Sequence, residues 1–401
     1  MLMRHPDTYA DEELDEWIRH LVDNEVEEGP RLDYKAQLNL STPKDRREAA
    51  KDVTSFANEV GGVLLYGMPE KRTNDKTAVP CRPYGIDPAA GVESQLENVY
   101  IDGIRPSLGE WRIRPIPLSE YPGKVAYLVW TPESWLGPHM VEAFGDRRYY
   151  RRGQLRAVEM AEHEVRERYQ RTQRAQDRLE RFLASHELNF SEIYFWRAPT
   201  GGSHYVIAPH TLYDRIDFTA ANMRSWLDTN PYPGPTSQWI PSAVGVRTSL
   251  QEKRTALGIV RDDFLQVFRN GAISHWRETE GKLTGDDGFL IASVAELRKV
   301  QTLLTYARRL FAQIGYWGPL RVEATIRAQR PRIVLAVGQW SSEFPTLLSP
   351  DGAVHISFEH ASSDLLADPK STLRRMADEL FRAFGLWDAA SLFDEHGNFR
   401  R

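Results

Sequence analysis

The sequence predicts an α/β (α+β) protein of two domains joined by a charged helix. Two observations carry this prediction. Helical and strand-like patterns alternate over the first 170 residues, and a different mixture of strands and helices follows residue 196. The length of 401 residues also suits two or three domains. We therefore expect an N-terminal domain at 1–170, a charged helical connector at 171–195 and a C-terminal α+β domain at 196–401.

The elements of the N-terminal domain follow from apolar spacing and turn residues. Helical spacing predicts a first helix over 11–24, and alternation predicts a strand over 31–38. A second helix begins after Ser41 or Thr42, which suit its N-cap, and ends at Gly61 and Gly62. The elements that follow are a buried apolar strand (63–68), a mobile polar loop (69–77), a helix (92–103) and three strands (111–118, 124–130 and 147–153).

The rest of the chain has a different pattern of predicted elements. A highly charged helix over 158–183 is either a solvated connector or a surface for a partner. A strong helix at 294–311 follows a capping box of Ser293 and Glu296. Further predicted elements are strands at 204–209, 272–276, 320–326, 332–337 and 353–358, a helix at 372–384, and a rigid surface loop at 231–235. This half belongs to no family that we recognise, so sensing, partner binding, oligomerisation and a plain core all stay open.

Composition excludes several classes of protein. Hydrophobic residues make up 41% and charged residues 27%, and 11 Trp, 16 Tyr and 16 Phe supply a core. Every apolar run is far shorter than the roughly 20 residues of a membrane helix, and the acidic N-terminus does not resemble a secretory signal. The single cysteine, Cys81, excludes an internal disulfide and a Cys-rich zinc site. We expect a soluble, cytoplasmic protein without a membrane partner.

Several catalytic motifs are missing. The chain lacks the phosphate loop GxxxxGK[ST], the dinucleotide motif GxGxxG, the zinc motifs HExxH and CxxC, and the hydrolase motif GxSxG. Its 11 histidines show no ligand spacing, and we interpret His355 and His360 as structural. These absences disfavour P-loop nucleotidases, zinc proteases and serine hydrolases.

Residues 147–156 form a basic block with five arginines and no acid, although the net charge of the chain is −5. Strand alternation places Arg147 and Arg151 on one face and Arg148, Tyr150 and Arg152 on the other. Such a strand offers guanidinium groups to phosphates and an aromatic ring to a base. The alternative is that these arginines pair with acids of the segment 159–167.

Three acids of the N-terminal domain are candidates for a metal site. Glu28 precedes the first strand, Asp33 lies within it near Lys35, and Glu70 follows the buried strand. If the two strands pair, the carboxylates meet at one edge, and a divalent cation such as Mg²⁺ or Mn²⁺ would neutralise them. Such a cation serves phosphodiester cleavage. The spacing is equally that of solvated acids or salt-bridge partners.

Three segments of the N-terminal part read EEGPRLDYKAQ, REAAKDVTSFANEVGGVLLYGMPE and RYYRRGQLRAVEMAEHEV. Together they resemble the AlbA-like domain of the Schlafen family, with coverage of about residues 10–170. Within them, the positions that match the family motifs are Glu28, Asp33, Tyr34 and Lys35, then Phe56, Ala57, Asn58, Gly61 and Gly62, then 67–70, and finally Tyr150, Arg152 and Gly153.

The resemblance implies one of two activities. Bacterial members are described as DNA-binding or regulator-like, whereas vertebrate members include metal-dependent ribonucleases that cut transfer RNA. In those nucleases a carboxylate trio matches Glu28, Asp33 and Glu70, although the acids at 33 and 70 are exchanged here and Pro69 precedes the third. The vertebrate enzymes also have two such lobes and a zinc finger that the single cysteine cannot build. A homodimer would supply the second lobe.

The leading hypothesis is therefore a nucleic-acid-binding domain with an endoribonuclease site that uses Mg²⁺ or Mn²⁺. Its substrate would be structured RNA such as tRNA, in bacterial defence or stress. Glu28, Asp33 and Glu70 would hold the metal and Lys35 would stabilise charge at the phosphate. The basic block, which comprises Arg147, Arg148, Tyr150, Arg151 and Arg152, would bind RNA or DNA. The alternatives are a non-catalytic DNA-binding regulator with a C-terminal sensing domain, and a protein-interaction scaffold.

Overall fold

The computed structural model is an α+β structure with 39% helix and 30% strand, which confirms the predicted fold class. Its contacts divide the chain into unit 1 (Met1–Arg174) and unit 2 (Ala175–Arg401). The described residues are 6–72, 78–154, 156–194, 201–212, 216–229, 239–248, 253–255, 258–260, 263–278, 281–284, 288–328, 332–336, 348–349 and 353–399. Within them, no helix is both long and apolar enough to cross a membrane.

Unit 1 alternates short strands with helices. Its helices are α1 (Asp11–Asp23), α2 (Pro43–Ala57) and α3 (Val92–Gly103), and α4 (Glu162–Tyr194) spans the boundary between the units. Its strands are β1 (Leu32–Lys35), β2 (Gly62–Tyr66), β3 (Glu70–Arg72), β4 (Ala78–Pro80), β5 (Ile104–Arg105), β6 (Arg112–Pro117), β7 (Val125–Thr131), β8 (Met140–Val141), β9 (Arg148–Arg152) and β10 (Ala157–Glu159).

Two four-stranded sheets organise unit 1, in the orders β1-β2-β7-β6 and β10-β9-β8-β5. Strand β1 runs parallel to β2, so that Asp33 lies opposite Leu64 and Lys35 opposite Tyr66. The apolar run predicted as a central strand is indeed buried between β1 and β7. This parallel pairing brings the end of β1 and the turn after β2 to the same edge.

Helix α2 packs between these sheets. Thr42 accepts a hydrogen bond from the Asp45 amide, and the Asp45 carboxylate accepts one from the Thr42 amide, which forms a capping box. The apolar stripe of Ala49, Val53 and Phe56 is buried at 4%, 1% and 1% exposure. The helix therefore forms a fixed wall beside β1 and β9.

Two predictions for unit 1 need correction. The polar stretch after β2 is a hairpin of β3 and β4 in which Glu70 lies opposite Pro80, although 73–77 lie outside the described residues. The hairpin escaped the apolar pattern because the side chains of β3 are all exposed. The charged helix begins at Glu162 instead of 158, because 157–159 pair with β9 as strand β10.

Unit 2 is built on a seven-stranded sheet of order β12-β13-β16-β17-β11-β20-β23. Its helices are α5 (Ala221–Thr229), α6 (Ser293–Ile314), α7 (Ser362–Ala367) and α8 (Pro369–Ala383). Its strands are β11 (Gly201–Pro209), β12 (Trp239–Ser242), β13 (Gly245–Thr248), β14 (Lys253–Thr255), β15 (Gly258–Val260), β16 (Asp263–Phe268), β17 (Ile273–Glu278), β18 (Gly281–Thr284), β19 (Gly288–Ala292), β20 (Pro319–Ala328), β21 (Arg332–Ala336), β22 (Leu348–Ser349) and β23 (Ala353–Ala361).

Helix α6 contributes one face to the core of unit 2, and its start differs from the prediction. Leu297, Leu303 and Leu310 are buried against the sheet. The predicted capping box of Ser293 and Glu296 is wrong, since Ala292 is the N-cap and no side chain caps the helix. Glu296 instead accepts hydrogen bonds from Lys299 (2.6 Å) and Tyr205 (2.7 Å) within the core. The loop predicted at 231–235 lies outside the described residues.

Candidate functional site

The three predicted carboxylates meet in one groove of unit 1. The Glu28 amide donates to the carbonyl of Ala78 on β4 (3.1 Å), and Glu70 on β3 pairs with that same strand. The hairpin thus holds Glu28 beside Glu70, the Glu28 Oε1 accepts a hydrogen bond from the Tyr34 amide (2.8 Å), and Asp33 and Glu70 both influence the pKa of the Glu28 carboxyl. We call this groove of about 790 Å³ the acidic groove; its charged lining residues are Glu28, Asp33, Lys35, Asp45, Glu48, Lys51, Asp52, Glu70, Arg152, Arg156 and Glu159.

Asp33 is the buried centre of this cluster. Its Oδ2 accepts a hydrogen bond from Lys35 Nζ at 2.8 Å and lies 3.1 Å from Arg152 Nη1. Burial alone would raise the pKa of Asp33, but the hydrogen bond from Glu28 and the two cations lower it to about 2. Asp33 is therefore an anion at neutral pH.

Glu28 and Glu70 behave in the opposite way. Burial, together with the hydrogen bond to and the charge of Asp33, raises the pKa of Glu28 to about 9. Burial and the charge of Asp33 also raise the pKa of Glu70. At neutral pH the Glu28 carboxyl retains its proton, which allows three acids to lie in contact.

The donor chemistry of the trio fits a hard divalent cation, because three carboxylates offer oxygen ligands at one place. Their arrangement is not a finished metal cage. Among the described residues, no group of three or more His, Cys, Asp or Glu side chains is placed so that it holds a metal ion. The Glu28 proton, Lys35 and Arg152 provide the neutralisation instead. A metal would have to displace that proton.

Asp52 belongs to the site and was missed by the sequence reasoning. It lies on α2 at 6% exposure, lines the acidic groove, and its Oδ2 is 3.9 Å from Lys35 Nζ. Burial raises its pKa to about 6, against the opposing effect of Lys35. The available signal was an acid within the apolar stripe of α2, one turn before Phe56. Lys35 is thus held between two buried acids while its side chain keeps 38% exposure.

The sequence predicted that Arg152 lies on a nucleic-acid-binding surface, but the structure buries its side chain. Its side chain is 1% exposed, and it donates to the carbonyl oxygens of Gly29 (3.3 Å) and Leu32 (3.4 Å). Its guanidinium also lies over the Phe56 ring, 5.0 Å from the centroid. Arg152 therefore fixes Asp33 and the start of β1 from below the groove.

Asn58 and the two glycines explain the motif FAN-x-x-GG. The Asn58 amide nitrogen donates to the carbonyl oxygens of His139 and Tyr150 (both 2.8 Å), and its oxygen accepts from the His139 amide (2.6 Å). A Cβ at Gly62 would lie 2.3 Å from the Phe56 ring, and Gly61 has a φ of +70° against the backbone of Glu133. These residues lock α2 to β9 and β2, which places the trio.

The rest of the basic block divides between ion pairs and the core. Arg148 pairs with Glu159 (3.1 Å) and Arg151 with Glu164 (2.6 Å), which is the alternative that the sequence left open. The role predicted for Tyr150 as a stacking ring does not fit, because Tyr150 is buried and its hydroxyl donates to Asp146 (2.6 Å). Arg147 is exposed.

A second groove of about 800 Å³ adjoins the first. We call it the basic groove; its charged lining residues are Arg47, Glu48, Lys51, Glu142, Asp146, Arg147 and Arg148. Glu48, Lys51 and Ala157 line both grooves, so the two are neighbours across the exposed side of α2.

Comparison with known proteins finds a family match within unit 1. Residues 28–158 match the model of the Schlafen AlbA_2 family. A solution NMR structure of the N-terminal domain of a RecG-related protein from Nitrosomonas europaea, named after an ATP-dependent DNA helicase, is similar with 21% identity. The match covers 39% of this chain and 96% of that one, with a TM-score of 0.25. No curated protein matches the chain. Residues 28–158 therefore form a Schlafen AlbA_2 domain, as the sequence motifs predicted.

Proposed function

We propose that the Schlafen AlbA_2 domain binds nucleic acid and cleaves structured RNA, such as tRNA, as an endoribonuclease that depends on Mg²⁺ or Mn²⁺. The observation that carries this proposal is the meeting of Glu28, Asp33 and Glu70 with Lys35 in one open groove. A carboxylate trio beside a lysine suits metal-assisted phosphodiester cleavage, since it combines metal ligands with a fixed positive charge.

The charge of the acidic groove favours a metal over simple binding. Its lining has seven acidic and four basic side chains, and with Glu28 protonated the remaining acids still outnumber the bases six to four, so by itself the groove repels a polyanion. Cations that enter with the substrate would reverse this repulsion. A bound divalent ion would orient a water and stabilise the charge that develops on the phosphate.

The protein's own residues have separate tasks. Glu28, Asp33 and Glu70 would provide the oxygen ligands of a divalent cation, and the Glu28 carboxyl would have to lose its proton to solvent for this role. Lys35 Nζ, fixed by Asp33 and Asp52, faces the open groove and stabilises negative charge on a phosphate oxygen. Arg152 holds Asp33 in place.

One observation favours a second candidate, a non-catalytic DNA-binding regulator with unit 2 as its sensing domain. Lys35, Arg152 and the Glu28 proton already neutralise the trio, and the described residues contain no preformed metal cage. Such a site persists without metal. Binding alone does not separate the candidates, because both bind nucleic acid in a salt-dependent way.

The test is a cleavage assay with total tRNA, ribosomal RNA, single-stranded DNA and duplex DNA in Mg²⁺, Mn²⁺ or EDTA. Glu28→Ala and Glu70→Ala are compared with Glu97→Ala, an exposed acid of α3 that lines neither groove. Metal-dependent cutting of RNA that is abolished only in the first two variants supports the nuclease. Tight salt-sensitive DNA binding with no cutting of any substrate supports the regulator.

A further inference from the structure

The basic groove has no task in the chemistry described above, although it adjoins the acidic groove. We propose that it is an anchoring subsite, which binds phosphates of the strand that flanks the bond cut in the acidic groove. This inference rests on the proposed function and adds to it a requirement on the substrate. A strand must be long enough to occupy both grooves.

The charge of the basic groove differs from that of its neighbour. Four basic side chains (Arg47, Lys51, Arg147 and Arg148) face three acids (Glu48, Glu142 and Asp146). One of these acids is not available to a ligand. Asp146 is 8% exposed, its Oδ2 accepts from the Tyr150 hydroxyl (2.6 Å) and its Oδ1 accepts from the Arg147 amide (2.9 Å). The lining therefore has one basic side chain more than it has acids, and the acids accessible to a ligand are Glu48 and Glu142.

Two arginines at the start of β9 are placed for a phosphate. Arg147 is exposed, and within the described residues its guanidinium forms no ion pair. Arg148 has 58% side-chain exposure and pairs with two acids, the exposed Glu159 (Nη1–Oε2 3.1 Å) and the buried Asp146 (Nε–Oδ1 3.7 Å). The pair with Glu159 joins two exposed groups and is weak, so a phosphate can replace Glu159 while Asp146 keeps the guanidinium in place. Both guanidinium groups can bind phosphate oxygens in a bidentate way.

The position of the basic groove suits a flanking segment. Lys51 and Glu48 lie on the exposed side of α2 and line both grooves, so a strand that leaves the acidic groove over α2 enters the basic groove next. None of the trio lines the basic groove. Phosphate binding there positions the strand without reading its sequence or touching the reacting atoms. The basic groove therefore contributes to affinity and not to the chemical step.

The experiment measures binding of labelled RNA to the full chain in EDTA by fluorescence anisotropy. It uses oligonucleotides of roughly 4 and roughly 20 nucleotides, which bracket the site sizes of typical single-strand binders. The variant Arg147→Glu with Arg148→Glu is compared with Arg112→Glu with Lys124→Glu. The control makes the same change in net charge, and its residues are half-buried, ion-paired and outside both grooves.

We expect the wild type to bind the long oligonucleotide more tightly than the short one, and the affinity of the groove variant to fall at least about 10-fold for the long one only. The slope of log K against log salt should become shallower by about 1 for each phosphate that the variant no longer binds. Equal affinities of the two double variants for the long oligonucleotide overturn the proposal, as does an equal decrease for both lengths.

This readout is independent of the proposed chemistry. If the wild type cuts nothing in Mg²⁺ or Mn²⁺, the nuclease proposal fails, while the binding comparison in EDTA still decides on the subsite. If it does cut, the groove variant should raise KM at least about 10-fold and leave kcat within about twofold. A fall in kcat with an unchanged KM contradicts an anchoring role.

Discussion

At the scale of single residues, Asp33 and Arg152 decide whether the candidate site exists. Their side chains are 2% and 1% exposed and lie 3.1 Å apart. A buried ion pair adds little net stability when it is complete, but one partner left alone is a buried unpaired charge. The same pair therefore serves folding and the placement of the carboxylate trio.

Replacement of Arg152 by alanine tests the contribution of this buried ion pair to stability. Arg152→Ala should lower the free energy of unfolding by about 3–5 kcal/mol, because the Asp33 carboxylate stays buried without its partner. Urea unfolding followed by circular dichroism measures the decrease. The double variant Arg152→Ala with Asp33→Asn should recover part of it, and a double variant whose destabilisation equals the sum of both single effects would contradict the coupling.

His139 makes stability depend on pH. Its ring is buried, its Nε2 lies 2.6 Å from the Ser134 hydroxyl, and burial lowers its pKa to about 4. Since a histidine in the unfolded chain titrates near 6.5, the unfolded state binds more protons between about pH 4 and 6.5. Stability therefore decreases as the pH falls through that window.

We expect His139 to account for a decrease of about 2 kcal/mol in the free energy of unfolding between pH 7 and pH 5. Urea unfolding at both pH values measures the decrease, with His139→Asn as the comparison. The variant should be less stable at pH 7 and less sensitive to pH. An unchanged pH dependence in the variant would assign the effect to other groups.

At the scale of elements, helix α2 holds the site together. It presents Asp52 to Lys35, Phe56 to Arg152 and Asn58 to β9, while Gly62 starts the next strand beneath the Phe56 ring. Small changes at the contact between Gly62 and the Phe56 ring should move the Arg152 guanidinium, which lies over that ring, and with it Asp33.

Gly62→Ala tests this contact. The new Cβ would approach the Phe56 ring to 2.3 Å, so the ring must shift, and we expect a decrease of about 1–3 kcal/mol in the free energy of unfolding. Gly29→Ala is the control, because a Cβ there meets no atom within 4 Å. Thermal unfolding of both variants measures the difference, and equal melting temperatures would show that the Phe56 contact is loose.

Sequence patterns predicted the elements with strong local signals and missed those that depend on tertiary contacts. The apolar spacing of α2 and the apolar run of β2 were sufficient to predict these two elements, because each of them buries one regular set of side chains. The hairpin of β3 and β4 was missed because exposed polar strands carry no apolar alternation. Glu296 suited a helix cap, but Lys299 and Tyr205 bind it in the core. The position of a charged residue in the sequence does not show which side chains will be buried beside it in the fold.

The sequence predicted Glu28, Asp33, Glu70 and Lys35 of the candidate site, but not Asp52 or the burial of Arg152. Glu28, Asp33 and Glu70 were expected at one edge because pairing of two predicted strands brings them there. The burial of Arg152 follows from a contact between β9 and the loop before β1, more than 100 residues apart in sequence. No pattern in the sequence reports such a contact.

At the scale of the whole molecule, the family resemblance implies a cleft made of two AlbA-like lobes, whereas this chain matches the family over one segment. We expect two copies to associate about a twofold axis and so supply the second lobe. Sedimentation velocity of the full chain, free and with tRNA, should give the mass of a dimer in at least one of the two states. A monomer in both would contradict the expectation and leave the grooves of one copy to bind alone.

The proposed function requires that Glu28, Asp33 and Glu70 bind a divalent cation. The most direct measurement is a titration of the full chain with Mn²⁺, in which free Mn²⁺ is counted by electron paramagnetic resonance. Glu70→Gln serves as the site variant and Glu97→Gln as the control. We predict about one bound Mn²⁺ in the wild type and in the control, with at least about 10-fold weaker binding in Glu70→Gln. Equal binding by all three proteins, or none, would contradict the claim.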